Sequence, residues 1–448
     1  MRLFIFAKRS MMGNPHSIRI AATFLASVLL CGAARSAGID GVTIDDSISG
    51  SMEFGQVVKG QSKLLQGYME NQGLQRIIGT YAATATLSDH TRASVGAELK
   101  MFNEFPRNNS FGATKRLYYL PSLTQAYVEH SFGNAEKPYL QMTLGYFPFK
   151  YDDYARNLGE YLFRTGTYPQ YIKTDFGFSY ARLAGLHLSG SQFGNLREDL
   201  VVFTNTEWIC VGDINLAALV SYSVAHCIDI GCGVSFNSLV SADESVTTPK
   251  TPQNAYVEGN DTLYYTFRGT KLMGRVAFDF KKLFPSPLFG AADLTLYGEA
   301  AILGLKNYPV GGENNLVRYD RILRRMPVMV GFNFPTFHLI DTCAIEGEWF
   351  GTIYPNDMER AITKGEPIPF TVGKNRNELI NNYQDGTAKW SVYLTKTFAK
   401  HYSVILLAAS DHLRTFGTFD VDWERQDFQE ILRKPDEWYW TIKFGFSF

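Results

Sequence analysis

Glu346 and Glu348 stand two residues apart in segment 344–353, the spacing that places two carboxylates side by side on one face of an extended strand. Paired carboxylates are the equipment of acid/base chemistry such as glycoside cleavage. Nothing else in the chain completes such a centre. His90, His130, His187, His226, His338, His401 and His412 are dispersed, and most sit singly beside a turn signal or within a strand pattern. No Gly-rich phosphate loop, HExxH helix or nucleophile elbow is present. Cys210, Cys227, Cys232 and Cys343 show no metal-like CxxC pairing. Cys227 and Cys232 bracket a tight turn, which leaves two readings open: a hairpin disulfide or two small apolar residues. The expectation is no enzyme, no metal and no cofactor, with Glu346 and Glu348 placed by strand alternation alone.

The chain has 448 residues, 45% hydrophobic, with 43 Lys+Arg against 44 Asp+Glu, a balance that leaves no electrostatic footprint for nucleic acid. A mean hydropathy of −0.13 excludes a polytopic helical membrane protein, since each span needs roughly 20 nearly uninterrupted apolar residues. Only residues 20–34 approach that length. They lack charge and follow Arg2, Lys8, Arg9 and Arg19, the pattern of a signal peptide with small residues at its end. Residues 1–36 are therefore expected to be removed on export, leaving 37–448 as a single domain.

Segment 437–448, EWYWTIKFGFSF, alternates with period two: Trp438, Trp440, Ile442, Phe444, Phe446 and Phe448 on one face, and Tyr439, Thr441, Lys443, Gly445 and Ser447 on the other. An aromatic edge strand would be adhesive unless paired. Closing a barrel, with the last strand against the first, removes that edge. In this pattern the chain resembles the bacterial outer-membrane β-barrels of the porin-like class, whose final strand ends in Phe and alternates in the same way. The resemblance spans the chain as pattern and identifies no specific family. It implies a Gram-negative outer-membrane location, surrounding outer-membrane lipid, and recognition of Trp440, Ile442, Phe444, Phe446 and Phe448 by the barrel-assembly machinery. Trimers are common in that class, while the sequence itself reads out no homo-trimer interface.

Other segments repeat the alternation. Segment 92–101 sets Arg92, Glu98 and Lys100 opposite Ala93, Val95, Ala97, Leu99 and Met101. Segment 271–281 sets Arg275 with Lys271 and Asp279 opposite Leu272, Val276 and Phe278. A Lys or Arg facing mid-bilayer lipid costs about 2–4 kcal/mol, so the charged sets must point into a wet lumen. Arg92, Glu98, Lys100, Arg275, Glu299, Glu346 and Glu348 are thus the expected pore lining. Sixteen such segments begin near residues 47, 76, 91, 118, 138, 177, 196, 213, 229, 266, 290, 325, 339, 387, 402 and 437. Even-to-odd connections such as 88–90, 133–137, 335–338 and 399–401 are short, whereas odd-to-even ones such as 60–75, 150–176, 241–265, 307–324, 355–386 and 415–436 are long. That parity is the arrangement of periplasmic turns and extracellular loops in an all-β, closed antiparallel transmembrane barrel.

Connection 150–176 is the unusual one. It mixes Asp152, Asp153, Arg156, Glu160 and Arg164 with seven Tyr or Phe residues, more aromatics than a solvated loop carries. In placement it resembles the loop that narrows the lumen of general porins, which would make those five charged residues a constriction. A self-packed surface loop is the other reading. The function expected is passive diffusion of small hydrophilic solutes. The alternative is a plugged barrel that binds a surface partner through connections 241–265 and 355–386.

Overall fold

Alternation of apolar and polar residues leaves each segment one greasy and one wet face, and only a closed cylinder pairs every edge. The computed structural model describes residues 42–59, 73–104, 116–134, 137–164, 180–191, 194–206, 210–308, 321–350, 367, 387–410 and 436–448. The proposed signal segment 1–36 and most of connections 60–75, 307–324, 355–386 and 415–436 lie outside these residues.

The first strands are β1 (Thr43–Lys59), β2 (Gly73–Ser88), β3 (Thr91–Glu104), β4 (Arg116–Gly133), β5 (Pro138–Phe149) and β6 (Ala181–Gly190). They continue through β7 (Leu196–Thr204), β8 (Ile214–Val224), β9 (Ile228–Val240), β10 (Ala255–Glu258), β11 (Asp261–Tyr264) and β12 (Gly269–Asp279). The last are β13 (Thr295–Leu303), β14 (Val328–Asn333), β15 (Thr342–Phe350), β16 (Thr387–Phe398), β17 (Tyr402–Ala409) and β18 (Trp438–Ser447). All except β10 and β11 form one closed barrel of sixteen strands, each hydrogen-bonded to its sequence neighbours, with β1 and β18 joined. β10 and β11 make a separate hairpin within the β9–β12 connection.

Closure uses the register Met52↔Phe444, Glu53↔Lys443 and Phe54↔Ile442, which sets apolar beside apolar and charge beside charge. Trp440, Phe444, Phe446 and Phe448 are exposed, as are Leu99, Val276, Ile345 and Trp349 on other strands, forming the outer apolar face. Three tight turns, at Ala225–His226, Phe337–His338 and Ala399–Lys400, use two successive residues with positive φ, the geometry whose twist matches that of a hairpin. Short turns gather with both strand termini, the start of β1 and the end of β18, at one rim, and the long connections occupy the other. Connection 280–294 is the exception, a fifteen-residue turn at the short-turn rim. Among the described residues the four cysteines are free: Cys227 is buried, and Cys232 is exposed on the strand face shared with Ile230.

Candidate functional site

Alternation sends Glu299 of β13 and Glu346 and Glu348 of β15 to the inner face, where all three are buried. Residues 150–164 of the β5–β6 connection cover them. The carboxylate of Glu346 accepts from the backbone N–H of Arg156 (2.6 Å), Asn157 (2.9 Å) and Leu158 (2.9 Å), and from the Tyr297 hydroxyl (2.9 Å). Glu299 accepts from the N–H of Glu160 (2.7 Å) and Tyr161 (2.9 Å) and from the Tyr151 hydroxyl (2.6 Å). Glu348 accepts from the Tyr161 hydroxyl at 2.6 Å. Two wall carboxyl groups thus collect five loop amides.

The loop must curl for its amides to converge, and it does so through Gly159 (φ +85°) followed by Glu160 (φ +58°). Glycine suits residue 159 for its φ; an added Cβ would also lie 2.6 Å from the flexible Met329 Cε and 3.3 Å from a Glu299 oxygen. Glu160 turns its own carboxylate back to the N–H of Tyr151 (3.1 Å) and Asp152 (3.2 Å), with Arg164 Nη1 at 3.6 Å. Burial outweighs these contacts and the nearby Lys150, and pushes the Glu160 carboxyl up to about 7. Burial also raises the phenols of Tyr151 and Tyr161, reinforced by the carboxylates that accept from them, so both stay neutral donors.

Apolar packing completes the seat. Tyr151, Ala155, Leu158, Tyr161, Leu162 and Phe163 form one buried cluster with inner-face residues of β5 to β8 and β12 to β14, among them Phe147, Phe149, Leu183, Val201, Phe203, Leu219, Met273 and Met329. Phe163 meets Phe149 and Phe203 edge-on, with ring centroids 5.2 and 5.6 Å apart.

These contacts correct several sequence expectations. Glu299, Glu346 and Glu348 are on the inner wall but hold the loop instead of meeting open water. Asp152, Glu160 and Arg164 are buried with it, leaving Asp153 exposed and Arg156 half-exposed. Glu98 is buried as well, ringed by Ser122 Oγ (2.6 Å), Arg182 Nη1 (3.0 Å) and Lys100 Nζ (3.2 Å). Arg92 is exposed near the short-turn rim, and Arg275 is half-buried, its guanidinium 3.9 Å from Asp152 and 2.9 Å from Ser221 Oγ. The loop lies inside the wall and not on the outer surface; its part beyond residue 164 up to 179 lies outside the described residues.

The inner face away from the loop differs in character. Glu53, Thr80, Thr84, Gln125, Glu129, Lys389, Thr395, Ser403 and Lys443 are polar and retain partial exposure. Glu53 accepts from Arg76 Nε at 2.9 Å. The tyrosines and glutamates beneath the loop were missed as anchors by sequence reasoning. A signal existed: Leu200, Val201, Val202 and Phe203 read as apolar on both faces, the mark of a strand covered on both sides.

No protein-family model matches the chain, and no curated protein does. Among solved structures it is similar to Pseudomonas putida OprB in its high-pH structure, with a TM-score of 0.51 and 11% identity over 93% of this chain and 97% of that one. It is also matched with Salmonella typhi OmpF in complex with daunomycin (TM-score 0.48, 11% identity, 91% and 98% covered). A third match is the outer membrane channel DcaP of Acinetobacter baumannii (TM-score 0.41, 11% identity, 91% and 98% covered). The likeness to the first establishes the fold: a closed sixteen-strand antiparallel barrel like that of the outer-membrane porins.

Proposed function

We propose that this barrel is an outer-membrane channel through which small hydrophilic solutes diffuse passively. The supporting observation is the division of its inner face. One side is apolar and covered by residues 150–164, while the other carries partly exposed Thr80, Lys389, Ser403 and Lys443 beside the Glu53–Arg76 ion pair, a wall suited to water and polar solutes. Sixteen strands ordinarily enclose an aqueous path. In this reading the seated loop narrows the path, and Asp153 and Arg156 are the loop charges that a passing solute meets. Arg92, Arg275, Lys389 and Lys443 supply wall charge.

The test is reconstitution into a planar bilayer. Discrete, ohmic current steps are expected; folded and inserted protein that repeatedly fails to conduct would refute the channel.

For assembly the reading turns to the outer face of β2 and β3, where Ala83, Ala85, Ala93 and Val95 are small and Gly79 and Ala97 lie beside the larger Leu99 and Tyr81. In this reading three copies meet there, as is common in the class the chain resembles. The surface-binding alternative rested on connections 241–265 and 355–386. The first folds into the β10–β11 hairpin, and the second, apart from position 367, lies outside the described residues.

A further inference from the structure

The short-turn rim carries one feature that a channel does not need. Connection 280–294 and the β14–β15 turn are built into a single platform. Asp293 accepts from the N–H of Gly290 and Thr336, both at 2.9 Å, and from Thr336 Oγ1 at 2.8 Å. His338 Nε2 meets the Pro287 carbonyl at 2.9 Å, and the rings of Phe289 and Phe337 lie 6.0 Å apart. This well-tied scaffold presents large apolar side chains outward: Leu283 is 50% exposed, Phe284 69%, Leu288 63%, Phe337 55% and Leu339 79%. Polar turns would satisfy a rim that faces only water, and a cluster of this size marks a surface that meets something apolar.

The outer wall says what that is. On β12 the outward Phe278 stacks edge-on against Phe280 at 4.3 Å, and on β14 the outward Phe332 does the same against Phe334 at 4.9 Å. Both pairs carry the lipid-facing apolar surface without a break from the strands into the two turns. Lys281 and Lys282 lie within the platform, each paired to Asp279 (3.6 and 3.9 Å), and Lys396 reaches the His338 carbonyl at 3.0 Å. Apolar side chains beside lysines are the composition of an element lying in a membrane interface.

We infer that the platform of residues 280–294 and 334–341 is a membrane-embedded wedge. It lies in the phospholipid leaflet on the short-turn side, with Leu283, Phe284, Leu288, Phe337 and Leu339 among the acyl chains. The inference rests on the membrane-barrel reading and adds to it a contact beyond the strands.

The full barrel, with Cys210, Cys227, Cys232 and Cys343 replaced by serine or alanine, would be reconstituted into phosphatidylcholine vesicles. Single variants Phe284→Cys, Leu339→Cys, Val276→Cys and Asp89→Cys would each carry an environment-sensitive fluorophore. Val276 lies on the outer face of β12, and Asp89 in the β2–β3 turn at the same rim. Brominated phosphatidylcholine is expected to quench the labels at 284 and 339 to within about twofold of the label at 276, while aqueous iodide reaches only position 89. Iodide quenching at 284 and 339 equal to that at 89, with 276 still quenched by bromolipid, would overturn the wedge and leave the barrel standing. Protection of 284 and 339 from both quenchers would overturn it in favour of a protein contact. Absence of bromolipid quenching at 276 would bring down the barrel reading and the wedge together.

Discussion

At the residue scale, the loop is held by carboxylates whose acceptors are all spoken for, so changing one should release more than one contact. Glu346→Gln keeps the size but turns an amide NH2 toward donors that had a charged acceptor, and is expected to weaken the loop seat by about 1–3 kcal/mol. Single-channel current should rise and grow noisier, and limited proteolysis should cut within 150–164 faster than in the parent. Glu160 adds a pH dependence. Its carboxyl is raised from its ordinary range to about 7 when the loop is seated, so seating favours the protonated form. The stabilisation is complete below the pKa of the freed carboxyl, near 4.5, and is lost as pH climbs through about 7. Conductance is accordingly expected to increase between pH 6 and 8, a change that Glu160→Gln should flatten and that current recordings across this range would reveal.

At the element scale, the strand faces decide what each position tolerates. Val276, half exposed on the outer face of β12, sits between the inward Arg275 and Ala277. Val276→Arg should lower stability in the bilayer by about 2–4 kcal/mol, measured by denaturant titration of vesicle-folded protein. The strands themselves were legible: sixteen alternating segments, their starts within a few residues of those observed, and the parity of short and long connections. Alternation reports which face a residue takes, and in the barrel Glu299, Glu346 and Glu348 lie on the face that the loop covers. It carries no information about what then covers that face. Burial of these three depends on a contact between positions more than a hundred residues apart, such as Tyr161 with Glu348, which no local pattern encodes. The tight turns at 337–338 and 399–400 likewise lack the Asn-Gly signature, because their geometry is imposed by the flanking strands.

At the scale of the whole molecule, the small outward residues of β2 and β3 give the assembly prediction. A Cβ at Gly79 would meet nothing within 4 Å in a single copy, so Gly79→Phe should leave the monomer folded. Light scattering in detergent should then show the trimer falling to monomer while each copy still conducts; an unchanged mass would mean the copies meet elsewhere or not at all. The apolar residues on the inner faces of β5 to β8 and β12 to β14 bear finally on how such a molecule comes into being. Until residues 150–164 arrive, Phe147, Phe149, Leu183, Val201, Phe203, Leu219, Met273 and Met329 line the interior bare, beside charges that already mark it as the inside. The segment that covers them is made well before several of the strands it packs against, and an assembling chain that lost track of it would have a ready means of clumping with its siblings.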